Sequence, residues 1–261
     1  MSDLLIHSSK PDSRGRVISV TPESAHWHYV GFEVFHLAAG QELIESAGSN
    51  ELCLVILSGK AEISVNQKSF GILGERTNVF EGLPWSVYAP CQSNYKVKAI
   101  TSLEIAICKA PAKQAFEPRV IAPADIAQET RGQGTNIRYV RNILPDTSPH
   151  AEALLVVEVI TPGGHWSSYP PHKHDTDNYP HETYLEETYY QSEDYTPELA
   201  DRGTARHDHQ RQPAALDGSA KCGTSRYARP VPANRFPEPG SGRGDAVARL
   251  EQCCLGRDVF G

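Results

Sequence analysis

Apolar residues in the first two-thirds of the chain come in short runs. Residues 16–20, 29–35, 51–57, 61–65, 95–100 and 103–107 are each rich in β-branched or aromatic side chains. Gly, Asn, Pro or Ser bounds each run, residues that permit turn dihedrals or end a ladder. Helical periodicity is scarce, and Pro123-Ala124-Asp125-Ile126-Ala127 offers at most a short turn. Many strands at roughly ten-residue spacing predict an all-β sandwich or barrel.

Two segments follow one plan. The first has a glycine after a strand (Leu57-Ser58-Gly59-Lys60) and then Leu83-Pro84-Trp85-Ser86-Val87-Tyr88 before further strands. The second begins near Arg138-Tyr139-Val140-Arg141, runs through residues 153–160 and turns at Thr161-Pro162-Gly163-Gly164. Between them, Pro111, Pro118 and Pro123 mark a connector, since proline lacks the ladder donor and favours extended chain. The pattern predicts two related β-barrels, one over residues 1–122 and a second starting at residue 123.

Composition adds a break. The 261 residues carry a net charge of −7. Residues 1–190 hold 15 Lys+Arg against 22 Asp+Glu, a balance of −7, and 14 Ile; residues 191–261 hold 10 against 10, with nine Arg and no Ile. Only 11 of these last 71 residues are Val, Leu, Ile, Phe, Tyr, Trp or Met. Burial of so few cannot offset the ~1–2 kcal/mol that ordering each backbone residue costs. Residues 123–190 are therefore expected to be the first part of the second barrel, and 191–261 an atypical Arg/Pro/Gly-rich tail that leaves it incomplete. Lost Ile and Lys with gained Arg and Pro is also what a shifted reading frame in a GC-rich gene would give.

Other classes recede on general grounds. No apolar run approaches the ~20 residues of a membrane span, and the first residues lack the basic and apolar regions of a secretory signal. The six cysteines have no CxxC or disulfide-scaffold spacing, which suits a reducing cytoplasm. Mild acidity disfavours nucleic acid, which needs a basic face.

Chemistry concentrates in Ser167-Ser168-Tyr169-Pro170-Pro171-His172-Lys173-His174-Asp175 and the Glu- and Tyr-rich segment 181–190. On a strand His172 and His174 project to the same face, so both imidazoles can reach one cation at about 2.0–2.1 Å. Glutamate from a neighbouring strand would add a hard oxygen, a set that suits Zn, Mn, Fe or Ni and leaves positions open for substrate. His26 and His28 repeat the spacing, but flanking Trp27 before the strands begin they are expected to be packing or surface residues.

The block His172-Lys173-His174-Asp175-Thr176-Asp177 with Tyr184-Leu185-Glu186-Glu187-Thr188-Tyr189-Tyr190 resembles the bacterial 5-deoxy-glucuronate isomerases of myo-inositol catabolism. Arg138-Tyr139-Val140-Arg141-Asn142-Ile143 and Pro162-Gly163-Gly164-His165-Trp166-Ser167-Ser168 are similar to that family too, so the likeness spans about residues 1–190. The resemblance implies a bicupin whose second barrel holds a divalent metal on His172, His174 and Glu187. Glu186 would point to the opposite face of the strand, and Glu182 is a weaker third choice of acid. The family's fourth ligand, a histidine on a late Pro-x-Gly-Tyr-His-Pro-like turn, has no counterpart after Tyr190; His207 and His209 lie in the tail. The first barrel, with no histidine after Leu83-Pro84-Trp85, is expected to be a metal-free scaffold.

The implied reaction is an aldose–ketose isomerisation of 5-deoxy-glucuronate to 2-deoxy-5-keto-gluconate by a cytoplasmic enzyme, compatible with a homo-oligomer. Arg138 or Arg141 would clamp the substrate carboxylate. Tyr189, Glu182 and His165 are the acid–base candidates, and Trp166 and Tyr169 would wall the sugar pocket. By strand alternation Lys173 would point away from the metal face. Two other classes use the same barrel: a sugar-binding module and a metal-dependent dioxygenase.

Overall fold

The computed structural model describes residues 5–166, 174, 176, 178, 181, 184–193, 215–218 and 247–255. The fold is all-β. The first half contributes β1 (Leu5–His7), β2 (Arg16–Val20), β3 (Gly31–Leu37), β4 (Glu42–Ser46), β5 (Asn50–Ser58) and β6 (Ala61–Val65). It continues with β7 (Lys68–Leu73), β8 (Ser86–Ala89), β9 (Asn94–Ala99), β10 (Leu103–Pro111) and β11 (Arg119–Ile121). The second half adds β12 (Ala127–Arg131), β13 (Arg138–Leu144), β14 (Leu154–Thr161), β15 (Leu185–Glu193), β16 (Ala215–Gly218) and β17 (Val247–Leu255). The only α-helix among the described residues, α1 (Pro22–Ala25), is a single turn.

A six-stranded sheet (β11-β8-β5-β10-β3-β2) and a four-stranded sheet (β4-β9-β6-β7) form the first barrel. Phe35, Leu54, Ile56, Ile63, Val97 and Ile105 fill the space between them. The outer face of the six-stranded sheet packs on a seven-stranded sheet, β1-β16-β15-β17-β14-β13-β12, which belongs to the second barrel. That interface is a second core, with Phe32, Val34, Cys53 and Val55 on one side and Leu154, Val156, Tyr190 and Leu250 on the other.

This layering explains the hydrophobic patterns. Central strand β5 is covered on both faces, so Glu51–Leu57 is buried without interruption and reads as a continuous apolar run. Strand β9 has water on one side and alternates buried and less buried positions. The turn after β5 needs Gly59 (φ +90°), where a Cβ would stand 2.1 Å from the Ser102 carbonyl oxygen.

Several elements differ from expectation. Strands β4, β7 and β12 escape the pattern because they are sheet edges or largely exposed; every residue of β12 faces solvent. The proline-rich connector supplies β11, which pairs with β8 of the first barrel, whereas β1 pairs with β16 and so adds the chain's start to the second sheet. The segment after Tyr190 supplies β16 and β17, and β17 lies in the middle of the sheet between β14 and β15. Its alternation of Ala248, Leu250 and Gln252, all buried, with more polar neighbours meets the strand requirement with few apolar residues.

Candidate functional site

The two large sheets share one plan: the sequence β8-β5-β10-β3-β2 in the first corresponds to β16-β15-β17-β14-β13 in the second. The interior positions differ in chemistry. In the first barrel β5 turns Leu52, Leu54 and Ile56 inward, and β10 turns Ile105 and Ile107, all completely covered or nearly so. In the second sheet, the face against the first barrel is identified by its bonds. The Tyr190 hydroxyl donates to Glu104 Oε1 (2.6 Å), and the Gln252 amide donates to the Lys109 carbonyl (2.7 Å). Alternation then places Glu187, Tyr189 and Gln191 of β15 on the face turned away. Glu251 of β17 shares it, being the direct cross-strand partner of Tyr189. Where one barrel is filled with leucine and isoleucine, the other carries carboxylates and a phenol.

Within this face His174 Nε2 stands 3.9 Å from Glu187 Oε2, with side-chain exposures of 26% and 9%. The Leu185 N–H donates to the His174 carbonyl (3.1 Å), which ties the histidine segment to the start of the strand that bears Glu187. Two donors that share one cation at about 2.0–2.2 Å each stand roughly 3–3.6 Å apart; this pair is a few tenths of an ångström wider, and its imidazole nitrogen and carboxylate oxygen are donor types that a divalent metal takes. No group of three such donors occurs among the described residues; the third expected ligand, His172, lies outside them, as do Glu182, Tyr169, His207 and His209.

Glu186 is wholly buried on the opposite face. Its carboxylate accepts backbone N–H bonds from His28 (2.7 Å), Tyr29 (2.7 Å) and Val30 (3.0 Å) of the first barrel. Burial, the Glu186 charge and Tyr29 push the nearby Tyr184 phenol above its ordinary value. The His26-Trp27-His28 motif thus contributes to the fold through its backbone.

Arg141 sits on the face against the first barrel. It is directly opposite Glu158 across the β13–β14 ladder, and its guanidinium donates to Glu158 Oε1 and the Val79 carbonyl. Arg76 grips the same Glu158 with both Nη atoms (2.7 and 3.0 Å). A substrate carboxylate would have to compete with Glu158 for Arg141. Arg138 lies on the same face as Glu187, but five to six residues further along the sheet, about 16–20 Å at ~3.3 Å per residue. There it gathers with two other candidates. Arg138 donates to the Asn136 carbonyl (3.3 Å), the Trp166 N–H to the Thr135 carbonyl (2.7 Å), and His165 Nδ1 to the Ile137 carbonyl (2.9 Å). That last bond fixes the proton on Nδ1 and leaves Nε2 as the chemically available nitrogen.

The candidate residues therefore fall into two groups, His174, Glu187 and Tyr189 at one end of the face and Arg138, His165 and Trp166 at the other. Glu251 escapes sequence reasoning because its strand lies in the compositionally atypical segment. The one available signal is the polar–apolar alternation of Ala248-Arg249-Leu250-Glu251.

Comparison with known proteins places these residues in context. Residues 4–216 match the KduI/IolB family. A 5-deoxy-glucuronate isomerase of Geobacillus kaustophilus (strain HTA426) is 53% identical over 191 residues, 73% of this chain and 69% of that protein. The corresponding isomerase of Halalkalibacterium halodurans is 41% identical over 194 residues, 73% and 72% of the two chains. The crystal structure of an IolB-like protein from Salmonella typhimurium LT2 superimposes with a TM-score of 0.75 at 32% identity, covering 98% of this chain and 94% of the other.

Proposed function

The chain belongs to the KduI/IolB family, and on that premise we propose that it is an isomerase that converts 5-deoxy-glucuronate to 2-deoxy-5-keto-gluconate in myo-inositol catabolism, using a divalent metal held in its second barrel. The isomerase assignment rests on the curated relatives, which carry that activity by name. The location rests on one observation, the approach of His174 Nε2 to Glu187 Oε2 on the polar face of a sheet whose counterpart is apolar.

Electrostatics supports a cation there. Glu187 is buried and Glu251 shares its face, so a cation held there would meet carboxylate charge. Zn, Mn, Fe or Ni on His174, Glu187 and, by the family resemblance, His172 would supply an electrophile for the sugar carbonyl. The chain's own groups then have separable tasks. Tyr189, two residues from Glu187 on the same face, would carry a proton between the adjacent carbons of the aldose. Glu182 is its alternative as acid or base. The family resemblance offers Arg138, Trp166 and Tyr169, or Arg141, for the carboxylate end, but Arg138 and Trp166 lie too far along the sheet from Glu187 for one six-carbon sugar to span both, and Arg141 is held by Glu158.

The test is turnover of 5-deoxy-glucuronate by the purified full chain, with and without chelator, alongside oxygen uptake. Turnover without oxygen uptake, lost with chelator and in His174→Ala and Glu187→Gln, is the expected result. Saturable sugar binding without turnover would make the chain a binding module, and oxygen consumption would make it a dioxygenase.

A further inference from the structure

Two buried glutamates hold the barrels together by one device used twice. Glu51 is the second residue of β5, and Glu186 is the second residue of β15, the strand that corresponds to it. Both are fully covered. Glu186 takes the backbone N–H groups of 28–30, just ahead of β3. Glu51 takes those of Glu152 (2.9 Å), Ala153 (2.6 Å) and Leu154 (2.8 Å), at the entry to β14, the counterpart of β3. Each barrel thus inserts a carboxylate into the backbone that opens a core strand of the other. A carboxylate with three backbone donors is a rigid anchor, because breaking it leaves a buried charge uncompensated.

The residue after each anchor sets the two clasps apart. Leu52 follows Glu51 and enters the apolar core of the first barrel. Glu187 follows Glu186 and faces His174. We propose that Glu186 is a positioning residue for the active site: the first barrel, through the 28–30 backbone, fixes the register and depth of β15 and so the place of the Glu187 carboxylate. This rests on Glu187 being a metal ligand, as proposed above. The 28–30 backbone is itself set by the end of α1, where the Trp27 N–H bonds back to the Pro22 carbonyl (2.7 Å) and His26 takes a left-handed turn (φ 58°). The first barrel is then part of the site's machinery.

Glu51 provides the control, since loosening it disturbs a matching three-amide clasp, with the Tyr88 hydroxyl as a fourth donor (2.8 Å), beside a leucine. The experiment titrates Mn²⁺ alone into the full chain by calorimetry, with thermal unfolding of each variant in parallel. Glu186→Gln is expected to weaken Mn²⁺ binding about tenfold or more, the range for residues that orient a metal ligand, while Glu51→Gln changes it by less than about twofold. Both variants should lose comparable thermal stability. Glu186→Asp, which keeps the charge but shortens the reach, should fall between wild type and Glu186→Gln and serves if the latter does not fold. Equal Mn²⁺ affinity in Glu186→Gln and Glu51→Gln, with equal loss of stability, would reduce Glu186 to a structural clasp and overturn the proposal. Unchanged affinity in Glu187→Gln would instead overturn the ligand assignment, and the positioning role with it.

Discussion

Replacing Arg76 by Met should loosen the barrels at a buried ion pair. Arg76 follows β7 of the first barrel, and Glu158 belongs to β14 of the second; their side chains are 3% and 1% exposed, so solvent does not screen the pair. Arg76 donates to Glu158 Oε2 at 2.7 Å and Oε1 at 3.0 Å, and to the Ile56 carbonyl at 3.2 Å. Methionine keeps most of the volume but removes every donor. Arg141 still reaches Oε1, which leaves Oε2 desolvated without its guanidinium. Breaking a buried pair from one side costs about 3–5 kcal/mol. At about 2–4 °C per kcal/mol for a chain of this size, the transition midpoint should drop on the order of 10 °C. The assay is urea unfolding followed by far-UV circular dichroism for Arg76→Met, Glu158→Met and the double variant. Because the double variant leaves no orphaned Glu158 charge, it should recover at least about 1 kcal/mol relative to the sum of the singles. Additive losses, or a change below about 0.5 kcal/mol for Arg76→Met, would refute the idea that this pair ties the barrels together.

Other outcomes follow from the same contacts. Burial raises the Glu33 carboxyl, but Lys109 and Arg16 outweigh it and hold the group below the ordinary 4.5. A depressed acid gives stability that is complete above that value and lost as pH falls through its folded pKa; the acid-side fall in midpoint should therefore be shallower in Glu33→Gln. Tyr190→Phe removes the bond to Glu104 and should cost about 1–3 kcal/mol, read by denaturant titration with little change in substrate KM. Deleting residues 247–261 removes the strand between β14 and β15 and bares two sheet edges; the product should be aggregated by light scattering, whereas a soluble monomer would show that β17 is dispensable. Resequencing the gene tests the compositional break: a frame correction near codon 190 should restore a histidine-bearing closing strand, and its absence would end the frameshift explanation.

Much of the fold is legible in one dimension. The run at 61–65 is β6 to the residue, and 51–57 falls one residue short of β5 at each end. These runs are visible because burial on one or both faces leaves a periodic mark. The edge strands are not legible, since Ile44 of β4 is 65% exposed and Ile72 of β7 62%, and an edge tolerates either kind of residue. Strand β17 is hidden for a different reason: its buried positions are Ala248, Leu250 and Gln252, of which only one is a large apolar residue, so the alternation leaves little mark.

Sequence by itself determines that this chain is all-β and built twice on one plan, and it marks the His- and Glu-rich segment 172–187 as the candidate for its chemistry. It also separates Glu186 from Glu187, because adjacent strand residues face opposite ways. Only the tertiary structure decides what each face meets. It sends Arg141 into the interface with Glu158, sets Arg138 far from Glu187, and turns two unremarkable glutamates into reciprocal anchors. Periodicity records which side of a strand a residue occupies, whereas the neighbour across the gap belongs to a segment some 100 to 160 residues away. No local pattern carries that pairing.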